Sequence, residues 1–401
     1  MPNLIKSFRA TYYNPSVIKN LSQVASPPYD VISKKQLALL RKKSPYNFSN
    51  ILLADNNNYK ETGSRLRKWI ADRILIDDDE ECLYLYEQAF KVSGKKYKRF
   101  GILGLLNMDK KDVVFPHEYT LSAPKEDRKK MIREVEANLS PIFVMVPKRL
   151  KYFHSIYNSY LRMKPFERFK DLDGNDNKVW KINDKNTIKK LCQEIEGNNL
   201  TIADGHHRFE VSYDYYQNNK GRFENLNYLL AYFTDAQDGL VILPTHRVAC
   251  LEDSSTLFSD KMKEIFRIQE VKNINILEKK LKKENNFAFG VCLNGKVYLF
   301  KLKEKKILDK LFKDSVYKNL DTYLLHELIF NIVKIKGSIE YTHNLKEARK
   351  FAGKSRAAFI LKPVSLEAVF DIANKGYRLP QKSTYFYPKV YSGMLMRRFA
   401  I

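Results

Sequence analysis

The sequence predicts a mixed α/β (α+β) fold whose core is a mixed sheet, and three observations carry that expectation. Short apolar, strand-like runs alternate with helices from the N-terminus to about Cys250, an order that gives a sheet with at least some parallel pairing. Hydrophobic residues make up 44% of the 401 positions, which is enough to bury a sizeable core spread over a few compact domains. The stretch TIADGHHRFE, Thr201 to Glu210, reads as a strand that turns at Asp-Gly straight into a helix.

The elements follow in order. In residues 1–140, an N-terminal α/β part, SKKQLALLRKK opens on a Ser able to cap a helix, and YKETGSRLRKWIADRI carries Leu66, Trp69, Ile70 and Ile74 on one face. CLYLYEQAF and FGILGLLNM read as strands around a basic turn, GKKYK, followed by the charged helix APKEDRKKMIREVEANL and the strand SPIFVMV. Residues 141–250 repeat the habit, with KVWKI a strand, NTIKKLCQEI a helix, LTIA a strand, the Asp-Gly turn and its helix, then strands YLLAYFTD and GLVILPTHRV. Residues 251–335 change texture to a helical and hairpin module, in which the Asn-Gly of FAFGVCLNGKVYLF signals a two-residue turn. The helix DTYLLHELIFNIV spans the end of that module, and residues 336–401 complete the core with strand AAFIL, helix LEAVFDIANKG closed by Gly376, and a Tyr-rich strand.

The net charge of +25 invites a nucleic-acid reading, because polyphosphate binding begins with Lys and Arg. Most lysines, however, fall in mixed runs such as EKKLKKEN that read as solvated helix faces, and the C-terminal half shows no helix-turn-helix with a basic recognition helix. Nucleic acid is therefore not the favoured partner. No apolar stretch serves as a signal-peptide core and none reaches the length of a membrane span, so the expectation is a cytoplasmic protein without a membrane partner. Cys82, Cys192, Cys250 and Cys292 are scattered, a pattern that fits reduced thiols better than a disulfide framework or a zinc site.

The chemistry gathers at the Asp-Gly turn. A strand that becomes a helix at once presents backbone N–H groups at the helix start, where the dipole also favours an anion. Gly205 lets that backbone approach a ligand closely, His206 and His207 add donors, and Arg208 is able to grip phosphate oxygens bidentately. The dipole alone contributes about 0.3–1 kcal/mol, so tight binding needs these side chains. A metal site is the rival reading, but adjacent helical residues point about 100° apart and do not offer two ligands to one ion. The plainer alternative makes Asp204 a helix cap with the His pair packed beneath it.

Other polar clusters are candidates to converge on the same place. ASPPYDVIS aims Asp30 after a Pro-Pro turn, and FPHEYTLSAPKEDR offers His117, Glu118, Lys125 and Arg128, which taken alone read as surface charges. LPTHRV places His246 and Arg247 at the end of an apolar strand. LPQKSTYFYPK holds Lys382, Ser383, Thr384 and Lys389 amid aromatics. No GxxxxGK[ST] or GxGxxG nucleotide loop is present.

ASPPYDVIS, NFSNILL, PHEYTLSAPKEDR, ANLSPIF, TIADGHHRFE, LPTHRV and LPQKSTYFYPK occur in this order between Ala25 and Lys389, and together they resemble the domain-of-unknown-function family 1015 over nearly the whole chain. The DGHHR run is similar to the phosphate loop of the ParB/sulfiredoxin superfamily, where a Gly-(polar)-x-Arg segment at a helix start binds nucleotide phosphates. Archaeal free-serine kinases of that superfamily carry a very similar run and move a phosphoryl group from ADP to serine, and members of family 1015 are associated with serine biosynthesis. The resemblance implies a ParB/sulfiredoxin-like part at residues 141–250.

It also implies a nucleotide-dependent kinase acting on free serine or a similar hydroxyl metabolite, with ATP or ADP as donor and Mg²⁺ as metal. Gly205, His206, His207 and Arg208 would hold phosphates, helped by His246, Arg247, Lys382, Ser383 and Thr384. Asp204 would be a metal or hydroxyl partner, and Glu118 or Asp30 the base. The alternatives are a phosphoserine-type phosphatase using the same pocket and a ParB-like, nucleotide-gated nucleic-acid binder. The partner is a small-molecule substrate in the first two readings, with the oligomeric state left open.

Overall fold

A computed structural model of the chain describes residues 3–120, 122–237, 239–285, 287–311 and 316–400. The chain divides into two units, Met1–Val241 with Pro388–Ile401, and Ile242–Tyr387. The last stretch of sequence therefore returns to the unit in which the chain began.

The first unit is built on a nine-stranded mixed sheet. Its strands are β1 (Ile5–Lys6), β2 (Leu83–Val92), β3 (Lys95–Asn107), β4 (Val114–Pro116), β5 (Ile142–Val146), β6 (Glu167–Lys170), β7 (Asp176–Ile182), β8 (Leu200–Asp204) and β9 (Tyr228–Asp235). Their order is β4-β8-β5-β9-β3-β2-β7-β6, with β1 also on β3. The pairs β4·β8 and β5·β9 are parallel, and β5·β8 and β3·β9 antiparallel, so the mixed sheet expected from strand-helix alternation is present. β2 and β3 form a hairpin whose turn is Ser93-Gly94, both at positive φ. The lysines and tyrosine expected in that turn instead belong to β3, because Ser-Gly alone supplies the two left-handed residues a tight hairpin needs.

α1 (Lys34–Lys43) starts with a capping box in which Ser33 and Gln36 serve each other's backbone N–H groups. α2 (Ser122–Val135) and α4 (His206–Asn218) pack together, with Ile132, Val211 and Tyr215 sharing a buried cluster with Phe399. α3 (Lys185–Ile195) is capped by Asp184, which accepts from the Thr187 N–H at 2.7 Å. β5 and β8 supply Ile142, Val144, Val146, Leu200 and Ile202 to the main core, where each buried aliphatic contributes about 1.5–3 kcal/mol.

The second unit holds a six-stranded antiparallel sheet of β10 (His246–Leu251), β11 (Phe266–Val271), β12 (Ala288–Leu293), β13 (Lys296–Leu302), β14 (Ile335–Thr342) and β15 (Arg356–Ile360), in the order β11-β13-β12-β15-β10-β14. The Asn294-Gly295 turn joins β12 to β13 with both residues at positive φ, as its dipeptide predicts. Two expectations are corrected here. GLVILPTHRV is not one strand but Val241–Leu243 and β10, broken where Pro244 cannot donate to a ladder. DTYLLHELIFNIV is not a uniform helix, since Leu325–Phe330 widens into a π-helical turn between α-helical ends.

Candidate active site at the strand-helix turn

The parallel strands β4 and β8 end side by side, with Pro116 opposite Ile202. His117 and Glu118 follow β4 directly, while Asp204 ends β8 and Gly205 and His206 follow it, so two loops are delivered to one place from strands that share a direction. The register of β8 against β5 slips between Ile202 and Asp204, a bulge that re-aims the end of the strand. Gly205 then takes φ +90°, and a Cβ there would lie 2.9 Å from Ile142 Cγ2 and 3.0 Å from Arg208 Cζ. Both the backbone angle and the space demand glycine. The first turn of α4 has no side-chain cap.

Asp204 is held between two cations. Its Oδ1 is bonded by Lys389 Nζ, and its Oδ2 accepts from Arg208 Nη2 at 2.7 Å. Burial acts to raise its pKa, but Lys389 and then Arg208 outweigh that and hold the carboxyl well below its ordinary 3.8. Arg208 also donates to the Pro141 carbonyl. Lys389 is fixed through its backbone, whose carbonyl accepts from Gln88 Nε2 at 3.0 Å, while the neighbouring Pro388 carbonyl takes a bond from the buried Arg99.

A histidine pair lies on the other side of the turn. His117 Nδ1 is 2.6 Å from the Ile202 carbonyl, which only accepts, so this nitrogen carries the proton. The His117 backbone N–H donates to His206 Nε2 at 3.3 Å, which leaves the His206 proton on Nδ1, and the two rings meet edge to face at 4.7 Å. Burial first, and then His117, lowers the His206 pKa to about 3 against the pull of Glu118 and Asp204; the ring is neutral at pH 7. Glu118 Oε1 stands 3.7 Å from His117 Nε2. His117 and Arg128, read from the sequence as surface charges, are buried, and Glu118 nearly so. The reason lies in the tertiary structure: His117 satisfies a β8 carbonyl, and Arg128 donates to the Leu52 carbonyl as well as to Asp127. Lys125 pairs with Glu210 at 3.0 Å, and Thr120 bonds the same carboxylate.

Asp30 lies in the short 3₁₀ turn Tyr29–Val31 that follows the extended Pro28, and it is exposed. Its neighbour Tyr29 is the residue turned inward. Arg128 stacks 4.1 Å over the Tyr29 ring, and burial together with Asp30 pushes the phenol up to about 12 against Arg128 and Arg208. Among the described residues no group of three His, Cys, Asp or Glu is placed to hold a metal ion.

Over residues 5–323 the sequence matches the family described as a protein of unknown function, DUF1015. The chain belongs to the DUF1015 family. No curated protein matches it. Among solved structures, a free serine kinase in complex with ADP is 14% identical to this DUF1015 protein over 70% of the chain and 85% of its own, with a TM-score of 0.37. SbnI with a C-terminal truncation from Staphylococcus aureus is 11% identical over 74% and 81%, at 0.36. A conserved hypothetical protein from Pyrococcus furiosus is 13% identical over 71% and 91%, at 0.35. Scores this low bear on neither ligand nor mechanism.

The remaining candidates of this DUF1015 chain lie in its second unit. His246 Nδ1 accepts from the Leu361 N–H at 3.3 Å, and burial, then Arg247 and His343, lowers its pKa to about 4, so it is neutral at pH 7. Arg247 is fully buried, donates to the Thr245 and Lys382 carbonyls, and lies 5.6 Å from the Tyr341 ring. Ser383 Oγ donates to the Pro380 carbonyl at 2.6 Å. Lys382 sits at φ +56°, and Thr384 is half-buried. Lys389, by residue type as good a phosphate ligand as Lys382, Ser383 and Thr384, is bonded to Asp204, a partner 185 positions away that spacing does not reveal.

Proposed function

We propose that this protein transfers a phosphoryl group from a nucleotide, ATP or ADP, to a small hydroxyl compound such as free serine, in the cytoplasm. The observation that carries the reading is the uncapped first turn of α4 behind a glycine at φ +90°, flanked by Arg208 and Lys389 on Asp204. Backbone N–H groups and the helix dipole attract the phosphates there, and the two cations neutralise charge as it moves. The reading uses the first unit alone.

Asp204 serves in it as the anchor that presents Arg208 and Lys389, because both carboxylate oxygens already hold cations. That role replaces the metal or hydroxyl partner anticipated from the sequence. Among the described residues no cluster is placed to hold Mg²⁺, so the ion would enter on the nucleotide's phosphate oxygens, the usual manner of that cation, and would add charge stabilisation. Glu118 is the base in this scheme; its Oε1 stands 3.7 Å from His117 Nε2, beyond hydrogen-bond reach. The acceptor hydroxyl oxygen bonds to the terminal phosphorus, the bond from phosphorus to the nucleotide's bridging oxygen breaks, and the hydroxyl proton passes to Glu118. His206, neutral with its proton on Nδ1, is a donor to an oxygen and not a counter-charge.

The test is product formation. Purified full-length protein with ATP or ADP plus serine and Mg²⁺ is expected to yield phosphoserine only when nucleotide is present, and Arg208→Ala to abolish it. Release of inorganic phosphate from phosphoserine without nucleotide would instead favour the phosphatase reading. DNA binding that weakens steeply with log salt, with no turnover, would favour the nucleic-acid reading.

A further inference from the structure

Beside the turn lies a pocket whose lining bears on what the phosphate-carrying ligand has at its other end. Met131 and Ile132 of α2, Val211 of α4 and Leu229 of β9 give it apolar walls, and Arg128, Arg208 and Ser212 are the polar residues that line it beside them. The cavity has a volume of about 60 Å³. That is room for several waters, space that a ring would take in their place. Serine is too small and too polar to fill such a space.

Arg208 belongs to both places. It lines the pocket, bonds Asp204, and sits so close to Gly205 that a Cβ on that residue would meet its Cζ at 3.0 Å. A ligand with phosphates on the first turn of α4 thus has its next group beside Arg208, at the apolar space. Ligand sites of this make-up, apolar with a few converging polar groups, take ring-bearing small molecules, and guanidinium planes stack well on aromatic faces.

We propose that this pocket between α2 and α4 seats the nucleobase of the nucleotide whose phosphates lie on α4. The inference rests on the phosphate reading above and adds that affinity resides largely in the base.

Isothermal titration of the full-length protein with ADP and, separately, with pyrophosphate tests it. Wild type is expected to bind ADP at least tenfold more tightly than pyrophosphate. Ser212→Phe, which fills the pocket, is expected to weaken ADP at least tenfold and leave pyrophosphate within twofold. Equal affinity of wild type for the two ligands overturns the base pocket while leaving the phosphate site standing, and this arm needs no variant to fold. An equal loss for both ligands in Ser212→Phe, in protein whose circular dichroism matches wild type, overturns it too. If neither ligand binds, both readings fall together.

Discussion

Replacing Asp204 by Asn removes one charge and keeps the shape. In the wild-type protein that carboxylate meets Lys389 and Arg208, and the three side chains are only 8–13% exposed. The variant leaves two cations without their counter-charge where water scarcely reaches, and breaking such a buried pair costs about 3–5 kcal/mol. In a domain of this size each kcal/mol lowers Tm by about 2–4 °C. Calorimetry at pH 7 is therefore expected to show the transition of the first unit falling by about 6–20 °C. The pH dependence has a definite sign. A carboxyl held below its ordinary 3.8 stabilises the fold above the unfolded pKa, and that stabilisation fades as pH falls from there toward the lower folded value. The gap between wild type and Asp204→Asn is thus widest above about pH 4 and narrows below it. A drop of under about 2 °C at pH 7, the effect of about one kcal/mol or less, or a gap that fails to narrow in acid, would refute the picture of Asp204 as anchor of two cations.

Three further outcomes are expected. Gly205→Ala places a Cβ 2.9 Å from Ile142 in a left-handed backbone and should cost about 1–3 kcal/mol; denaturant midpoints equal to wild type would contradict this. His206, with its pKa lowered from 6.5 to about 3, favours the fold above pH 6.5 and loses that contribution as pH falls toward 3. His206→Gln should flatten the acid limb of the urea-stability profile, whose slope per titrating group reaches about 1.4 kcal/mol per pH unit, and an unchanged limb would count against a buried neutral ring. Glu118→Gln should lower kcat by about 10²–10⁴-fold with ADP affinity kept, the usual loss on removing a general base. A larger loss in Asp30→Asn would move the base to the exposed turn.

Much of the fold was legible because its signals are local. The short apolar runs, the Ser33 cap and the Asn294-Gly295 turn each act within a few residues, and so does the strand-turn-helix at Gly205. The errors came where one residue overrides a pattern: Pro244 splits an apolar run into two strands, and Ser93-Gly94 turns the hairpin ahead of the lysines. Within the candidate site, the DGHHR run declared itself through a dipeptide and its charges. Its partners did not. Lys389 reaches Asp204 only because the chain returns to the first unit at its end, and His117 looks like a surface residue until β4 pairs with β8 and offers it the Ile202 carbonyl. Contacts of that kind depend on sheet order, which single-sequence spacing does not encode.

The central claim, that phosphate oxygens rest on the first turn of α4, is most directly checked by amide NMR of protein labelled at glycine and histidine. Pyrophosphate is expected to shift the Gly205, His206 and His207 amides in wild type and to leave them unmoved in Arg208→Ala. Shifts confined to other glycines and histidines, or identical shifts in the two proteins, would contradict it.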